Sequence, residues 1–277
     1  MENNAEIPAE TTTAHIALSG PDWRFRTKVT VPTGPTQVND VLPLAQSLAD
    51  ALVGSAVNTI EKQGQRISCT KGCGACCRQL VPIAPVEARR INDVINAMPE
   101  PRQSEIRTRF ATARQRLAQT ELLTELKART HWTDGQGRAV GMKYFRQNIP
   151  CPFLEDGACS IYPDRPIACR EYLVTSPAEN CAQPTPETIR TVKFPLRVWL
   201  GLARCEQGAL PEPFVSWVPL ILAPEWAEAH PEQPPSRPGP TLVKQFFDHL
   251  KNTANTFSRP GAARPGNPAA ASISREE

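Results

Sequence analysis

Long apolar runs are missing from this 277-residue sequence: the most apolar stretch, Phe214 to Ala223, covers ten residues. That is about half of the roughly 18 a membrane-spanning helix needs, so a membrane span is excluded from the reading. The first twenty residues carry acids where a secretory signal would carry Lys or Arg, and they hold no apolar core segment, so the expectation is a cytoplasmic chain. Charge of one sign is not gathered anywhere. The 31 basic and 28 acidic residues leave a net +3, and the 23 arginines are spread along the chain, a balance that does not indicate nucleic acid. Histidine is scarce, and His15, His131, His230 and His249 all lie away from the cysteines, which argues against mixed Cys/His zinc sites. A strand followed by a G-x-G-x-x-G turn is also lacking, since Gly135-Gln-Gly137 follows a helical pattern. No Ser-His-Asp set or catalytic carboxylate pair can be picked out, and Glu155, Asp156, Asp164 and Glu171 read as solvated turn acids. Catalytic residues therefore remain unassigned. What is plentiful is proline, with 29, and cysteine, with 9.

Periodicity places the regular elements. Alternation from Asp22 to Val31 puts Trp23, Phe25, Val29 and Val31 on one face of a half-buried strand. A helix starts at Asn39 or Asp40, carries Val41, Leu44, Leu48 and Leu52 on one stripe, and ends near Gly64. Pro85 opens a second helix bearing Ile91, Val94, Ile95 and Met98. A longer one follows, with Ile106, Phe110, Ala113, Leu117, Leu122, Leu123 and Leu126 on its buried face. Asp134 to Gly137 reads as a turn or hairpin tip, Thr188 to Phe194 as a strand, and Trp199 to Cys205 and Thr241 to Thr253 as helices. Pro219 and Pro224 break Val215 to Ala229 into short pieces, and the prolines between 150 and 177 leave the second cysteine group mostly loop.

Eight of the nine cysteines fall in two groups, Cys69-x3-Cys73-x2-Cys76-Cys77 and Cys151-x7-Cys159-x9-Cys169-x11-Cys181, with Cys205 apart. In a reducing compartment such clustering points to metal binding or redox chemistry rather than structural disulfides. Closely spaced thiolates can wrap a soft or borderline metal, and Gly72 and Gly74 supply the backbone freedom such a wrap uses. The neighbouring pair Cys76 and Cys77 does not fit easily on one small ion, which suggests a cluster, two centres, or one ligand beside a bystander. With histidine absent, a four-cysteine zinc site and an iron–sulfur cluster both remain. Such a centre could organise the Pro-rich segment 150–181, because structural zinc contributes on the order of 10 kcal/mol or more. Arg78, Arg165 and Arg170 are placed to offset thiolate charge or to form ordinary surface ion pairs, and Tyr162 reads as packing under the second loop.

The strings Ile67-Ser-Cys-Thr-Lys-Gly-Cys-Gly-Ala-Cys-Cys-Arg78 and Cys151-Pro-Phe-Leu-Glu-Asp-Gly-Ala-Cys-Ser-Ile-Tyr-Pro-Asp-Arg-Pro-Ile-Ala-Cys-Arg170 resemble the two halves of the YkgJ-type cysteine-cluster family. The resemblance spans about residues 66–182 and implies a zinc- or iron-chelating domain related to flagellin lysine N-methylases. Position by position it implies Cys73, Cys76, Cys77, Cys151, Cys159 and Cys169 as ligands. Cys69 stands at the family's leading cysteine with three intervening residues instead of two, and Cys181 closes the second group. These eight form the expected metal-ligand set.

Other chemistries with similar spacing lack their context. Cys69-x3-Cys73-x2-Cys76 matches the loop of radical enzymes that use S-adenosylmethionine, but Ala75 replaces the usual aromatic and no strand–helix alternation follows. Cys73-Gly-Ala-Cys76 as a thioredoxin-like dithiol lacks a βαβ setting. The expected fold is α+β and predominantly helical, with Cys-rich irregular loops organised by a metal centre and a small N-terminal β element. Residues 1–12 are expected as a flexible terminus, 13–35 as the β element, 36–210 as the metal domain, 211–254 as a helical extension and 255–277 as a disordered tail. The expected function is an iron–sulfur (4Fe-4S) or zinc protein with a redox or cluster-related role, acting with a protein partner or substrate not identified. Protein-lysine N-methyl transfer, implied by the resemblance, and a structural zinc module for interactions are the alternatives.

Overall fold

A computed structural model describes residues 10–19, 24–129, 132, 134–185, 187–207, 215–253 and 270–275. The regular elements run in order as β1 (Thr11–Ser19), β2 (Arg24–Pro32), β3 (Pro35–Thr36), α1 (Val38–Lys62), β4 (Pro82–Ile83), α2 (Pro85–Asn96), α3 (Arg102–Ala118), α4 (Leu122–Lys127), α5 (Asp134–Arg146), β5 (Leu154–Glu155), β6 (Ala158–Cys159), α6 (Ile167–Arg170), α7 (Val198–Arg204), β7 (Val218–Pro219), α8 (Ala223–Ala229), β8 (Arg237–Pro238), α9 (Gly239–Thr253) and β9 (Ala270–Arg275). The fold is α+β and mostly helical, as expected, with one three-stranded antiparallel sheet in the order β2-β1-β9 and three two-stranded ones.

Alternation works as read in β2: Phe25, Val29 and Val31 share the face opposite Ile16 and Leu18 of β1, where Leu18 pairs with Phe25 and Ala14 with Val29. Trp23 lies outside the described residues. Strand β1 itself occupies residues the sequence placed in a loose terminus and the start of the β element. The tail reading also gives way at Ala270–Arg275, where β9 pairs with β1 and brings Ile273 opposite Ile16. Apolar residues alternating with Ser in that segment carry the strand signal that Pro and Gly around it obscure.

Helix α1 begins a little earlier than read. Its N-cap is Gln37, and Asp40 sits three residues inside, its carboxylate accepting the Gln37 N–H at 2.8 Å. The predicted long helix is two, α3 and α4, separated by Glu121 at φ 59°. The expected turn at Asp134 to Gly137 is the start of α5 instead. Val140 and Tyr144 of that helix pack into a cluster with Leu117, Leu122 and Leu126, so burial of one face outweighs three poor helix formers. Thr188 to Phe194 makes only a single bridge, Val174 to Thr191, in place of a strand.

Helices α1, α7 and α9 and the inner face of β1 and β2 share the largest core cluster, with Phe246, Phe247, Leu202 and Leu48 at its centre. The second cluster joins α2 and α3 to Phe153 and Ile161 of the Cys-rich segment and to Val218 and Leu220. Among the described residues no helix is long and apolar enough to cross a membrane.

Candidate metal centre

The first cysteine string folds as a chain of tight turns, with Cys73 N–H on Thr70 O at 3.0 Å, Cys77 N–H on Gly74 O at 3.0 Å and Gln79 N–H on Cys76 O at 3.1 Å. Gly72 adopts φ 93°, a conformation that side-chain-bearing residues rarely take. The entry to the string is tied to the far end of the second one: Ser68 N–H donates to Val174 O at 3.0 Å, and Val174 N–H donates to Cys69 Sγ at 3.4 Å.

In the second string, β5 and β6 form a hairpin closed by Asp156 and Gly157, both at positive φ (48° and 77°). Two successive left-handed residues match the right-handed twist of a two-residue hairpin, which is why Asp-Gly is favoured there. That dipeptide was a readable signal the sequence analysis passed over. The hairpin is clamped to α3, where both Arg102 and Arg109 pair with Glu155, and Arg109 also donates to Pro152 O at 3.2 Å. The two strings meet at Cys151, whose N–H donates to Cys77 O at 2.7 Å.

Cys169 lies on α6, a single turn held from both ends. Glu87, buried in α2, accepts the Ala84 N–H at 2.9 Å and the Ile167 N–H at 2.7 Å, capping its own helix and α6 together. Arg170 donates to both oxygens of Asp50 on α1 (2.9 and 2.7 Å), to Arg165 O at 3.0 Å and to Pro163 O. Glu171 is buried as well and accepts the Val198 N–H at the start of α7 at 2.6 Å. The reading of Glu171 as a solvated turn acid is therefore corrected. Glu155 and Asp164 are engaged rather than merely solvated, Asp164 pairing with Arg90 at 2.8 Å. Glu87 was missed from the sequence, although its place two residues after a helix-opening proline is a capping position.

These supports bring Cys73, Cys76, Cys77, Cys151, Cys159 and Cys169 to the wall of one cavity of about 140 Å³. Cys69 and Cys181 do not line it; Cys205 lies in the main core, its thiol 3.6 Å from Gly201 O. Much of the rest of the lining is apolar, including Leu80, Val81, Phe153, Ile161, Leu220 and Ile221. Among the described residues no three Cys, His, Asp or Glu side chains close tightly enough to hold one ion; the thiols ring the cavity. All nine are free of disulfides.

Four of the cavity thiols, Cys76, Cys151, Cys159 and Cys169, are pushed toward the protonated form. Burial raises Cys151 to about 12 and Cys169 well above the ordinary thiol range, and it raises Cys159 too. Cys76 is raised first by its hydrogen bond with Cys77 and then by burial. Neighbouring cysteines push the same way, because Cys76 lies within electrostatic reach of Cys151, Cys159, Cys169, Cys69 and Cys181. One cation opposes this: Arg165 favours the ionised forms of Cys69, Cys76 and Cys159. A dense set of soft sulfur donors on one cavity fits a thiolate-held metal or cluster, whose binding displaces thiol protons.

Comparison with known proteins agrees with this chemistry. Residues 68–188 match the CxxCxxCC family, described as a "putative zinc- or iron-chelating domain". No curated protein and no solved structure matches the chain.

Proposed function

Because residues 68–188 match the model of that "putative zinc- or iron-chelating domain", we propose that the six cavity thiols hold a polynuclear centre, an iron–sulfur cluster in preference to a single zinc ion. The observation that carries this reading is six thiols on one cavity of about 140 Å³. A tetrahedral zinc needs four ligands at about 2.3 Å and would leave thiols and space over. Cavities of this size accommodate a benzene-sized guest, more than one bare ion. An iron–sulfur centre supplies one-electron redox chemistry when bound, which makes the protein an electron-transfer or cluster-handling partner.

The chain's own residues prepare the place. Glu87 and Arg170 fix the turn that carries Cys169, Glu155 fixes the hairpin that carries Cys159, and the Cys77 carbonyl fixes Cys151. The apolar part of the lining lowers the local dielectric, which strengthens electrostatic interactions within the cavity. Between Cys151 and Cys181 the regular structure amounts to a two-residue-strand hairpin and single helical turns, so a centre there also staples the loops.

Anaerobic purification followed by iron, zinc and acid-labile sulfide analysis tests the proposal. Iron with sulfide and a brown chromophore is the expected result; zinc without sulfide, in a colourless protein, overturns it.

A further inference from the structure

Among the described residues, one cation on the cavity has no ion-pair partner. Arg165 lines the cavity beside the thiols, its guanidinium lies 4.1 Å from the centroid of the Tyr162 ring, and its Nε–H is buried without an acceptor. The carboxylates nearest in sequence are engaged elsewhere: Asp164 pairs with Arg90, and Glu171 accepts from Val198. Arg170, the other arginine of this loop, is spent on Asp50 and two carbonyls. An orphaned buried N–H is destabilising, so a site that keeps one calls for an acceptor that arrives with its occupant.

We propose that Arg165 is the positioning cation of the centre: stacked on Tyr162, it balances the thiolates that line the same cavity and gives its buried Nε–H to a sulfur of the occupied site. This rests on the reading of the cavity as a thiolate-held metal centre. Several thiolates around one small centre carry excess negative charge, and among the described residues that line the cavity Arg165 is the cation available to compensate it. Tyr162 is thereby the support for that guanidinium as well as packing under the loop. Lysine would return the charge without the planar fork, and glutamine would return neither.

The test uses the full chain, reduced and freed of metal, titrated with Zn²⁺ alone against a competing chromophoric chelator. Arg165→Gln is expected to weaken Zn²⁺ binding by roughly tenfold to a hundredfold, the range for residues that support metal ligands. Arg165→Lys is expected to recover most of that loss. Thermal unfolding of the metal-free proteins, expected to be alike, shows that the variants fold. Equal Zn²⁺ affinity in wild type and Arg165→Gln overturns the role of Arg165 and leaves the centre standing. A loss that Arg165→Lys does not recover at all also overturns it, because charge is then not the cause. A wild-type chain that neither takes up Zn²⁺ nor carries metal as purified overturns the centre and the arginine's role with it.

Discussion

The Cys151 N–H donates to the Cys77 carbonyl at 2.7 Å, so two cysteine strings far apart in sequence are joined through the backbone of their own cysteines. Two side-chain features make that junction possible. Gly74 presents no Cβ to the hairpin, and Glu155 anchors the hairpin's first strand to α3. The cavity thus follows from how closely two loops approach, and its dimensions depend on residues that are not themselves ligands.

Gly74→Ala tests that approach. A Cβ at Gly74 would stand 2.4 Å from Gly157 O and 2.4 Å from Leu154 Cδ1, and the backbone oxygen cannot swing aside. The loops must separate, at a cost of about 1–3 kcal/mol. Metal content per chain is expected to fall together with the unfolding midpoint. Gly54→Ala, in the interior of α1 with nothing near its added Cβ, is the control and should leave metal content unchanged while stabilising the chain by about 0.5–1 kcal/mol.

Glu87 predicts the sign of a pH dependence. Burial is the larger influence and raises its carboxyl from 4.5 to about 7, against the Ile167 and Ala84 N–H groups and Arg170. Between those values the folded chain binds more protons than the unfolded one, so stability falls as pH rises from about 4.5 to about 7. The slope approaches at most about 1.4 kcal/mol per pH unit. Glu171, raised to about 8 chiefly by burial, acts in the same direction and extends the window upward. Urea unfolding at pH 5.5 and pH 8 should show the wild-type chain weaker at the higher pH. Glu87→Gln should show a smaller difference between the two, even though its single carbonyl oxygen cannot replace both acceptors. An equal difference in both proteins would show that Glu87 is ionised throughout.

Much of the helical frame was legible because burial follows simple periods: α1, α2, α7 and α9 show their apolar stripes in the residue order itself. Four plus four plus one was likewise a readable division of the cysteines. Residue order could not show which thiols share a wall, since Cys69 and Cys181 belong to the strings but not to the cavity. That selection is made by Val174, which takes Cys69, and by contacts between α6 and α1 that no local pattern encodes. The glycine-rich start of α5 was misread for the same reason, because partners distant in sequence, among them Ile221 and Leu222, supply part of the apolar surface it packs on.

The division of the thiols makes its own prediction. Cys76→Ser and Cys169→Ser remove cavity donors and should each abolish or sharply reduce metal content. Cys69→Ser should leave most of the metal in place, because its sulfur accepts the Val174 N–H outside the cavity wall. Cys205→Ser should leave metal content unchanged, since a serine hydroxyl can still donate to Gly201 O. Elemental analysis of the four proteins purified side by side decides; equal loss in all four would place the ligand set wrongly.

Arg170 and Asp50 form a pair whose two halves should not be worth the same. The Arg170 side chain is 9% exposed and spends its remaining donors on Arg165 O and Pro163 O, whereas the Asp50 side chain is 53% exposed. Water can replace much of what Arg170 gives Asp50, so Asp50→Ala should cost about 1 kcal/mol or less. Removing the buried guanidinium takes the donor from two part-buried carbonyls and loosens the turn that carries Cys169, so Arg170→Ala should cost about 3 kcal/mol. Chemical unfolding gives both values, and the metal content of Arg170→Ala should fall while that of Asp50→Ala holds. If the two substitutions cost the same, the ion pair rather than the carbonyl bonds is what holds the loop.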